Sequence, residues 1–239
     1  MSKILRLLIL PIMICHSYIY NIYVGSTGLL FPYSLGALSY IKSEIKPDKC
    51  NFHGVSGGAW CSLIYDIEDN LGDHDKLWNI YIGNNNTTFK IYDMKTMETI
   101  HKNISKNVLR RYKEKNKNNF PNLSIYVTKI ENMIPKNIVI NDFKNFEEIL
   151  MYASYSSYIP FICGKGLWMQ DGNCKYVDGA FFHKKPDINF DYEIDVLDIM
   201  KTDRSKINKR FVLDIQKSRH MFKKGWEYSK TNFKLRNIY

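Results

Sequence analysis

A serine between glycines is the part of this sequence best suited to chemistry. Residues 54–58 read Gly-Val-Ser-Gly-Gly, with the short run Cys50–His53 before them and the helix-compatible run Ala59–Tyr65 after them. Where a strand turns sharply into a helix, the apical residue is strained, and flanking glycines avoid collisions between strand and helix. The Ser56 hydroxyl then lies over helical N–H groups that can stabilise negative charge. An incidental serine in a glycine-rich turn is the alternative, and the flanking elements favour a nucleophile.

An aspartate that follows a predicted strand is the second candidate. Lys175–Val177 reads as a strand, and Asp178-Gly179-Ala180 follows it directly. A carboxylate at this point lies over the edge of the sheet where Ser56 is expected. Asp-Gly is also a common turn sequence, and taken alone the motif favours that interpretation.

A loop of small residues lies between the first predicted strand, Ile19–Val24, and a helix that Pro32 opens. This loop, Gly25-Ser26-Thr27-Gly28, would present backbone N–H groups at the carboxyl edge of the sheet, beside the Ser56 turn. An ordinary turn between strand and helix is the alternative. Since the strand, loop and helix order recurs at Ser56, two successive units of this kind predict an α/β fold with a parallel sheet covered by helices.

Further elements follow from hydrophobic periodicity and turn residues. Strands are predicted at Ser124–Thr128 and Ile138–Ile140, and helices at Lys76–Tyr81, Met94–Tyr112 and Phe146–Ala153, with a turn over Ser154–Pro160. At 239 residues and 45% hydrophobic content, the chain predicts one domain.

The first 17 residues have the pattern of a secretory signal peptide. A basic start precedes nine apolar residues, Leu7–Cys15, and small residues allow cleavage after Ser17. A buried first strand is the alternative. Cleavage would place the protein in the secretory pathway or outside the cell, and without it we expect a peripheral protein on intracellular membranes. After cleavage four cysteines would remain and could pair, with Cys163 and Cys174 close enough to close a loop.

The C-terminal part of the chain is basic. The formal net charge is +10, and residues 201–239 hold twelve Lys and Arg against three Asp and Glu. Because the sequence has no zinc-finger, RNA-recognition or basic-zipper pattern, the charge favours a phospholipid surface over nucleic acid. Apolar residues near helical spacing predict a helix that packs on the core or lies on a membrane, and packing is the more frequent outcome: Ile207, Phe211, Ile215, Phe222, Trp226 and Phe233.

These blocks, in this order, resemble the patatin-like phospholipase family, and within it the branch that includes animal adipose triglyceride lipase and adiponutrin. The resemblance spans residues 19–183 and has three main blocks: Gly25–Gly36, Gly54–Gly58 and Asp178–Ala180. Two softer stretches agree, Leu123–Thr128 and the segment from Ile159–Gly164 to Tyr176–Gly179.

The resemblance implies a three-layer α/β/α fold with a mainly parallel sheet. We expect a patatin-like catalytic domain over residues 18–185 and, from the charge and apolar spacing, a basic helical extension over 186–239 that packs on it. It also implies a Ser–Asp dyad, with Ser56 as nucleophile and Asp178 as proton acceptor, that hydrolyses acyl esters of phospholipids or acylglycerols at a lipid surface without metal or cofactor. The implied oxyanion hole comprises Gly25, Ser26, Thr27, Gly28 and Gly57. The family's loop is usually richer in glycine and often carries a basic residue, whereas Ser26, Thr27 and Phe31 stand here.

Two other functions stay open at this point. One is an α/β-hydrolase with a triad of Ser56, a later acid and His220, although that fold places several strands before its serine turn and this chain has about one. The other is a catalytically weak protein of the same fold that binds lipid surfaces, which the low glycine content of the loop favours.

Overall fold

The computed structural model describes residues 18–84, 86–90, 94–117, 119–183, 185, 187–196 and 212–235. The predicted signal peptide and the predicted helical positions Ile207 and Phe211 lie outside these ranges, so secretion stays a prediction. In chain order the helices and strands are β1 (Tyr20–Val24), α1 (Phe31–Glu44), β2 (Cys50–Val55), α2 (Gly57–Ile67), α3 (His74–Tyr81), β3 (Phe89–Lys90), α4 (Met94–Glu114), β4 (Leu123–Glu131), β5 (Ile134–Ile140), α5 (Phe146–Ser156), β6 (Met169–Asp171), β7 (Cys174–Val177), β8 (Tyr192–Ile194), β9 (Val212–Leu213) and α6 (Ile215–Asn232).

The central sheet contains seven strands in the order β6-β7-β4-β2-β1-β8, and β5 also pairs with β4. Strands β8, β1, β2 and β4 run parallel to one another, whereas β5, β6 and β7 join by antiparallel pairing. The carboxyl ends of β1 and β2 are in register, with Val24 opposite Gly54. The predicted α/β fold with a mainly parallel central sheet flanked by helices is confirmed.

Side chains alternate across the sheet and separate two apolar clusters. Ile22, Phe52 and Ile125 belong to the main core, together with apolar side chains of the helices. Tyr23 and Tyr126 point to the other face, in a small cluster that also contains Val55 and is covered by Ala180 and Phe190. The helices that follow β1 and β2 therefore share the side of the sheet on which the main core lies.

A buried ion pair fixes α4 against α2 and α3. Glu68, directly after α2, accepts hydrogen bonds at 2.7 and 2.8 Å from the guanidinium of Arg111 on α4, and a third at 2.6 Å from the hydroxyl of Tyr81 on α3. Burial raises the pKa of Glu68, but the hydrogen bonds from Arg111 and Tyr81 outweigh burial and keep this pKa below its ordinary value. The carboxylate is charged and fully paired, so it holds three helices in one arrangement.

The C-terminal helix α6 packs across α1 at two glycines. A β carbon at Gly36 would lie 1.9 Å from the carbonyl oxygen of Phe222, and one at Gly225 would lie 1.9 Å from that of Tyr33. Apolar spacing extends upstream of this helix in the sequence, but α6 begins only at Ile215. The reason is that the Asp214 side chain caps it by accepting a hydrogen bond from the backbone N–H of Lys217 at 2.8 Å.

Two other sequence predictions are wrong. The turn predicted over Ser154–Pro160 begins later, because α5 continues to Ser156. Cys50, Cys61, Cys163 and Cys174 all carry free thiols. Cys163 is buried, and its thiol contacts the carbonyl oxygen of Ser157 at 3.5 Å. It therefore packs into the end of α5 and does not close a loop with Cys174.

Candidate active site

The turn between β2 and α2 holds Ser56 in a strained conformation. Its φ of 56° and ψ of −128° lie outside the regions that residues other than glycine favour. The turn is tight because α2 begins in contact with both β1 and β2: a β carbon at Gly58 would lie 2.1 Å from the carbonyl oxygen of Val24 in β1, and one at Gly54 in β2 would lie 2.6 Å from the Cα of Ala59. Glycine is therefore required at both positions, and Ser56 is the apex of the turn.

Ser56 and Asp178 are in direct contact. The hydroxyl of Ser56 donates a hydrogen bond to Oδ2 of Asp178 at 2.6 Å, and the N–H of Ala180 donates to Oδ1 at 2.7 Å. Asp178 is only 2% exposed. Burial raises the pKa of Asp178 to about 6, against the lowering effect of the two hydrogen bonds. The carboxylate is thus a stronger proton acceptor than an exposed aspartate, and it remains ionised above about pH 6.

The end of α5 aligns the two residues, which the sequence did not indicate. The hydroxyl of Ser156 accepts a hydrogen bond from the backbone N–H of Ser56 at 2.8 Å and donates to the carbonyl oxygen of Tyr126 at 2.7 Å. The backbone N–H groups of Asp178 and Gly179 donate to the carbonyl oxygens of Tyr158 and Ser156 at 2.8 and 2.9 Å. The end of α5 therefore sets the distance between the Ser56 turn and the Asp178 turn.

The predicted oxyanion loop is only partly available to a ligand. The N–H of Gly25 donates to the carbonyl oxygen of Ile194 at 2.9 Å, so it completes the sheet beside β8. The prediction that Gly25 contributes a donor is therefore wrong. Ser26 is half-buried in the same loop.

Thr27, Gly28 and Gly57 converge beside Ser56. A β carbon placed on Gly57 would lie 2.2 Å from the Thr27 hydroxyl and 3.5 Å from the backbone nitrogen of Gly28. Thr27 is 4% exposed, and its hydroxyl makes a long 3.4 Å contact with the carbonyl oxygen of Gly28. Gly28 has a φ of 49°, which turns the chain into the first helical turn before α1. These three residues bring a hydroxyl and backbone N–H groups to one side of the Ser56 turn.

An apolar cavity opens beside Ser56 between α2 and α4. Its volume is about 50 Å³, which admits a few water molecules or the first carbons of a chain. Its lining is mostly aliphatic and aromatic: Gly28, Leu29, Phe31, Ser56, Gly57, Trp60, Cys61, Ile64, Met97, Ile100, His101, Ile104, Ser157 and Ile159.

His101 in the cavity wall has no counterpart among the sequence predictions. Its Nε2 lies 2.7 Å from the hydroxyl of Ser157, which also accepts a hydrogen bond from the indole of Trp60 at 2.9 Å. Burial lowers the pKa of His101 to about 4, so the ring is neutral at pH 7. A lone histidine within a polar helix gives no sequence signal for this position.

Three other described histidines lie on the surface or on the opposite face of the sheet. His220 is exposed on α6. His53 faces the opposite side of the sheet, where it contacts the hydroxyl of Tyr126 at 2.9 Å, and His183 contacts the hydroxyl of Tyr23 at the same distance. The triad with His220 is therefore not formed, and the partner of the Ser56 hydroxyl is a carboxylate.

Within the described residues, His, Cys, Asp and Glu side chains do not gather in groups of three or more that could hold a metal ion. Over the same ranges, the helices are too short or too polar to cross a bilayer.

Comparisons with known proteins give a similarity in structure and none in sequence. The sequence matches no profile of a known protein family and no curated protein. The fold is similar to a chain in the structure of the heterodimeric complex ExoU–SpcU from the type III secretion system of Pseudomonas aeruginosa, with a TM-score of 0.39 and 10% sequence identity. The match covers 89% of this chain and 51% of that chain, so the present chain spans about half of its length.

Proposed function

We propose that the protein is a patatin-like lipid acyl hydrolase, with Ser56 as nucleophile and Asp178 as base. The observation that carries the proposal is the 2.6 Å hydrogen bond from the Ser56 hydroxyl to the buried Asp178 carboxylate, at a strained turn beside an apolar cavity. A serine hydroxyl is a weak nucleophile unless a base accepts its proton, and this contact supplies one.

The reaction would proceed in two halves. Oγ of Ser56 attacks the ester carbonyl carbon while its proton passes to Oδ2 of Asp178. The bond to the alcohol then breaks, and the departing alkoxide takes the proton from Asp178. Water attacks the acyl-serine ester in the same way, with its proton passing through Asp178 back to Ser56, which releases the carboxylic acid.

Negative charge develops on the carbonyl oxygen in both halves. The N–H groups of Gly28 and Gly57 and the hydroxyl of Thr27 are the donors that we assign to it, because they converge beside Ser56. A helix N-terminus adds to this stabilisation, since Gly57 begins α2.

The apolar cavity is the proposed site of the acyl chain. Because its volume is about 50 Å³, short acyl groups fit the closed arrangement, and a long chain requires α4 to shift away from α2. We propose a phospholipid or acylglycerol as the physiological substrate, since both present a carboxylic ester with an apolar acyl chain.

A catalytically weak lipid-binding protein of the same fold is the second candidate. It is favoured by the Gly25 N–H, which is hydrogen-bonded to Ile194. This donor is missing from an already glycine-poor loop.

Hydrolysis of a short-chain chromogenic ester separates the two candidates. We expect turnover by the full chain and a loss of several orders of magnitude in Ser56→Ala and in Asp178→Asn. Ser43→Ala is the matched control, because Ser43 is an exposed serine that bonds only to the carbonyl oxygen of Tyr40 among the described contacts. A fluorophosphonate should label the peptide that contains Ser56. Turnover and labelling that persist in Ser56→Ala would refute the proposal.

A further inference from the structure

The helix α4 forms one wall of the apolar cavity beside Ser56. Four of its residues line the cavity at helical spacing, so they lie on one face of the helix: Met97, Ile100, His101 and Ile104. Apolar side chains suffice for a wall that contacts an acyl chain, and three of the four are apolar. His101 is the exception, and its contacts indicate what a polar group does at this position.

The ring of His101 donates a hydrogen bond to Ser157. Nε2 of His101 lies 2.7 Å from the hydroxyl oxygen of Ser157. That hydroxyl has a single proton, which it donates to the carbonyl oxygen of Ala153 at 2.7 Å, so the proton between hydroxyl and ring belongs to Nε2. The indole of Trp60 donates to the same hydroxyl oxygen at 2.9 Å. One oxygen atom therefore joins α2, α4 and the end of α5.

This junction lies directly beside the turn that carries Ser56. Ser157 follows Ser156, whose hydroxyl accepts a hydrogen bond from the backbone N–H of Ser56 at 2.8 Å. Ser56, Ser157 and His101 all line the same cavity. Because the cavity volume is about 50 Å³ and side chains in a packed wall leave little free space, an acyl chain of more than a few carbons has to displace part of this wall.

Other contacts hold α4 away from the cavity. The side chain of Asn103 donates to the carbonyl oxygen of Ile82 at 3.1 Å, on another face of the helix. Near the end of α4, Arg111 forms the buried ion pair with Glu68. The hydrogen bond of His101 acts on the face that lines the cavity. Its loss would free that face of α4 and leave the ion pair intact.

We propose that His101 determines the acyl-chain preference of the protein, because its hydrogen bond holds the cavity face of α4 against Ser157 and restricts the substrate to esters of short-chain acids. His101 is a specificity-determining residue, since its hydrogen bond goes to Ser157 and not to the catalytic pair. The inference rests on the proposed function, in which the cavity receives the acyl chain.

His101→Leu tests the hydrogen bond at nearly constant volume. Ser157 keeps its donor Trp60 and its acceptor Ala153, so the substitution leaves the Ser157 hydroxyl paired. The measurement is kcat/KM for the nitrophenyl esters of butyrate and octanoate, of which the parent should prefer butyrate. Each further methylene that becomes buried strengthens binding about fourfold, so the ratio of octanoate to butyrate should rise about tenfold or more. The rise should come from a lower KM for octanoate, with little change in kcat.

Two control variants separate the hydrogen bond from other effects on α4. His101→Gln places an amide donor near the position of Nε2 and should retain the parent's preference for butyrate. Asn103→Leu removes the hydrogen bond to Ile82 on another face of the same helix. It should lower the melting temperature and leave the preference for butyrate unchanged.

Binding of the free acids measures the same preference without catalysis. In calorimetry with the full chain carrying Ser56→Ala, addition of His101→Leu should strengthen octanoate binding about tenfold relative to butyrate. Amide hydrogen exchange should become faster over residues 94–101 of the His101→Leu variant and stay unchanged over residues 108–114, because local opening affects only the freed part of the helix.

Three results would overturn the inference. An unchanged preference in His101→Leu, in turnover and in binding, would show that the hydrogen bond does not limit the cavity. A His101→Gln variant that behaved like His101→Leu would exclude the hydrogen bond as the cause. The same gain in Asn103→Leu would mean that any loosening of α4 has this effect. Failure of the proposed function is distinct: the parent would hydrolyse neither ester, whereas the effect of His101→Leu on octanoate binding would persist.

Discussion

The hydroxyl oxygen of Ser56 lies 2.6 Å from Oδ2 of Asp178, although 122 residues separate the two in the chain. Burial raises the pKa of Asp178 to about 6. The acceptor must be ionised to take the serine proton, so ester turnover should increase as the pH rises through about 6 and then level off. A pH profile of kcat/KM with a short-chain ester measures this.

The same profile distinguishes a histidine base from the carboxylate. His220→Ala should retain the position of the rise, because His220 is exposed on α6. A shift of the rise in that variant, together with loss of turnover, would contradict the dyad.

Asp178→Asn should stabilise the fold at neutral pH. The folded-state pKa of Asp178, about 6, lies above its ordinary value of 3.8. The native state therefore holds the proton more tightly than the unfolded chain, and stability falls as the pH rises from about 4 to 6. The shift corresponds to about 3 kcal/mol at pH 7, which the neutral amide avoids.

Urea unfolding of the two proteins at pH 3.5 and pH 7 measures this effect. We expect nearly equal free energies of unfolding at pH 3.5, where the carboxyl is protonated in the folded state and mostly protonated in the unfolded state, and a more stable variant at pH 7. If Asp178→Asn were less stable than the parent at pH 7, the hydrogen bonds to the Asp178 carboxylate would stabilise it by more than burial destabilises it.

Ser156→Ala should loosen the Ser56 turn. The substitution leaves the buried backbone N–H of Ser56 without its acceptor at 2.8 Å, and an unpaired buried donor costs about 1–3 kcal/mol. Because the same hydroxyl ties the turn to the carbonyl oxygen of Tyr126, we also expect a lower kcat.

Ser154→Ala is the control for that substitution. Ser154 lies on the same helix, and its hydroxyl bonds within the helix to the carbonyl oxygen of Leu150 at 2.8 Å. Urea unfolding and ester turnover measure the stability and kcat of both variants. Equal losses in the two would mean that the effect comes from a change in α5 and not from the lost contact between Ser156 and the Ser56 turn.

Local pattern predicted most of the elements that carry the site. β1, α1, β2, α2 and β4 lie where periodicity and turn residues place them, because each has a long apolar pattern or a strong terminal signal. By contrast, β8 has three residues and no pattern of its own, and it forms because β1 offers a free edge that it completes. Sequence pattern carries no information on such long-range pairing.

The site was predictable to a smaller extent. The blocks around Ser56 and Asp178 gave the two residues that the structure brings together, and their catalytic roles remain a prediction. Ser156 and His101 were not found, because each acts through a contact with a residue distant in the chain, Ser56 and Ser157 respectively. Sequence analysis assigned Gly25 a free N–H group, but this N–H donates to the carbonyl oxygen of Ile194 in β8. The error arose because the sequence did not predict β8.

Thr27 should affect the rate more than substrate binding. Its hydroxyl lies 2.2 Å from the position that a β carbon of Gly57 would take, and the backbone nitrogen of Gly28 lies 3.5 Å from the same position, so the hydroxyl faces the side of Ser56 where the oxyanion is expected to form. Removal of one such donor lowers kcat by about 10²–10³-fold. Thr27→Val, which keeps the shape but removes the hydroxyl, should therefore lower kcat with little change in KM. Thr27→Ser keeps the hydroxyl and should retain most of the turnover. If both variants lost kcat equally in steady-state ester hydrolysis, the side chain of Thr27 would act by packing and the backbone N–H groups alone would stabilise the oxyanion.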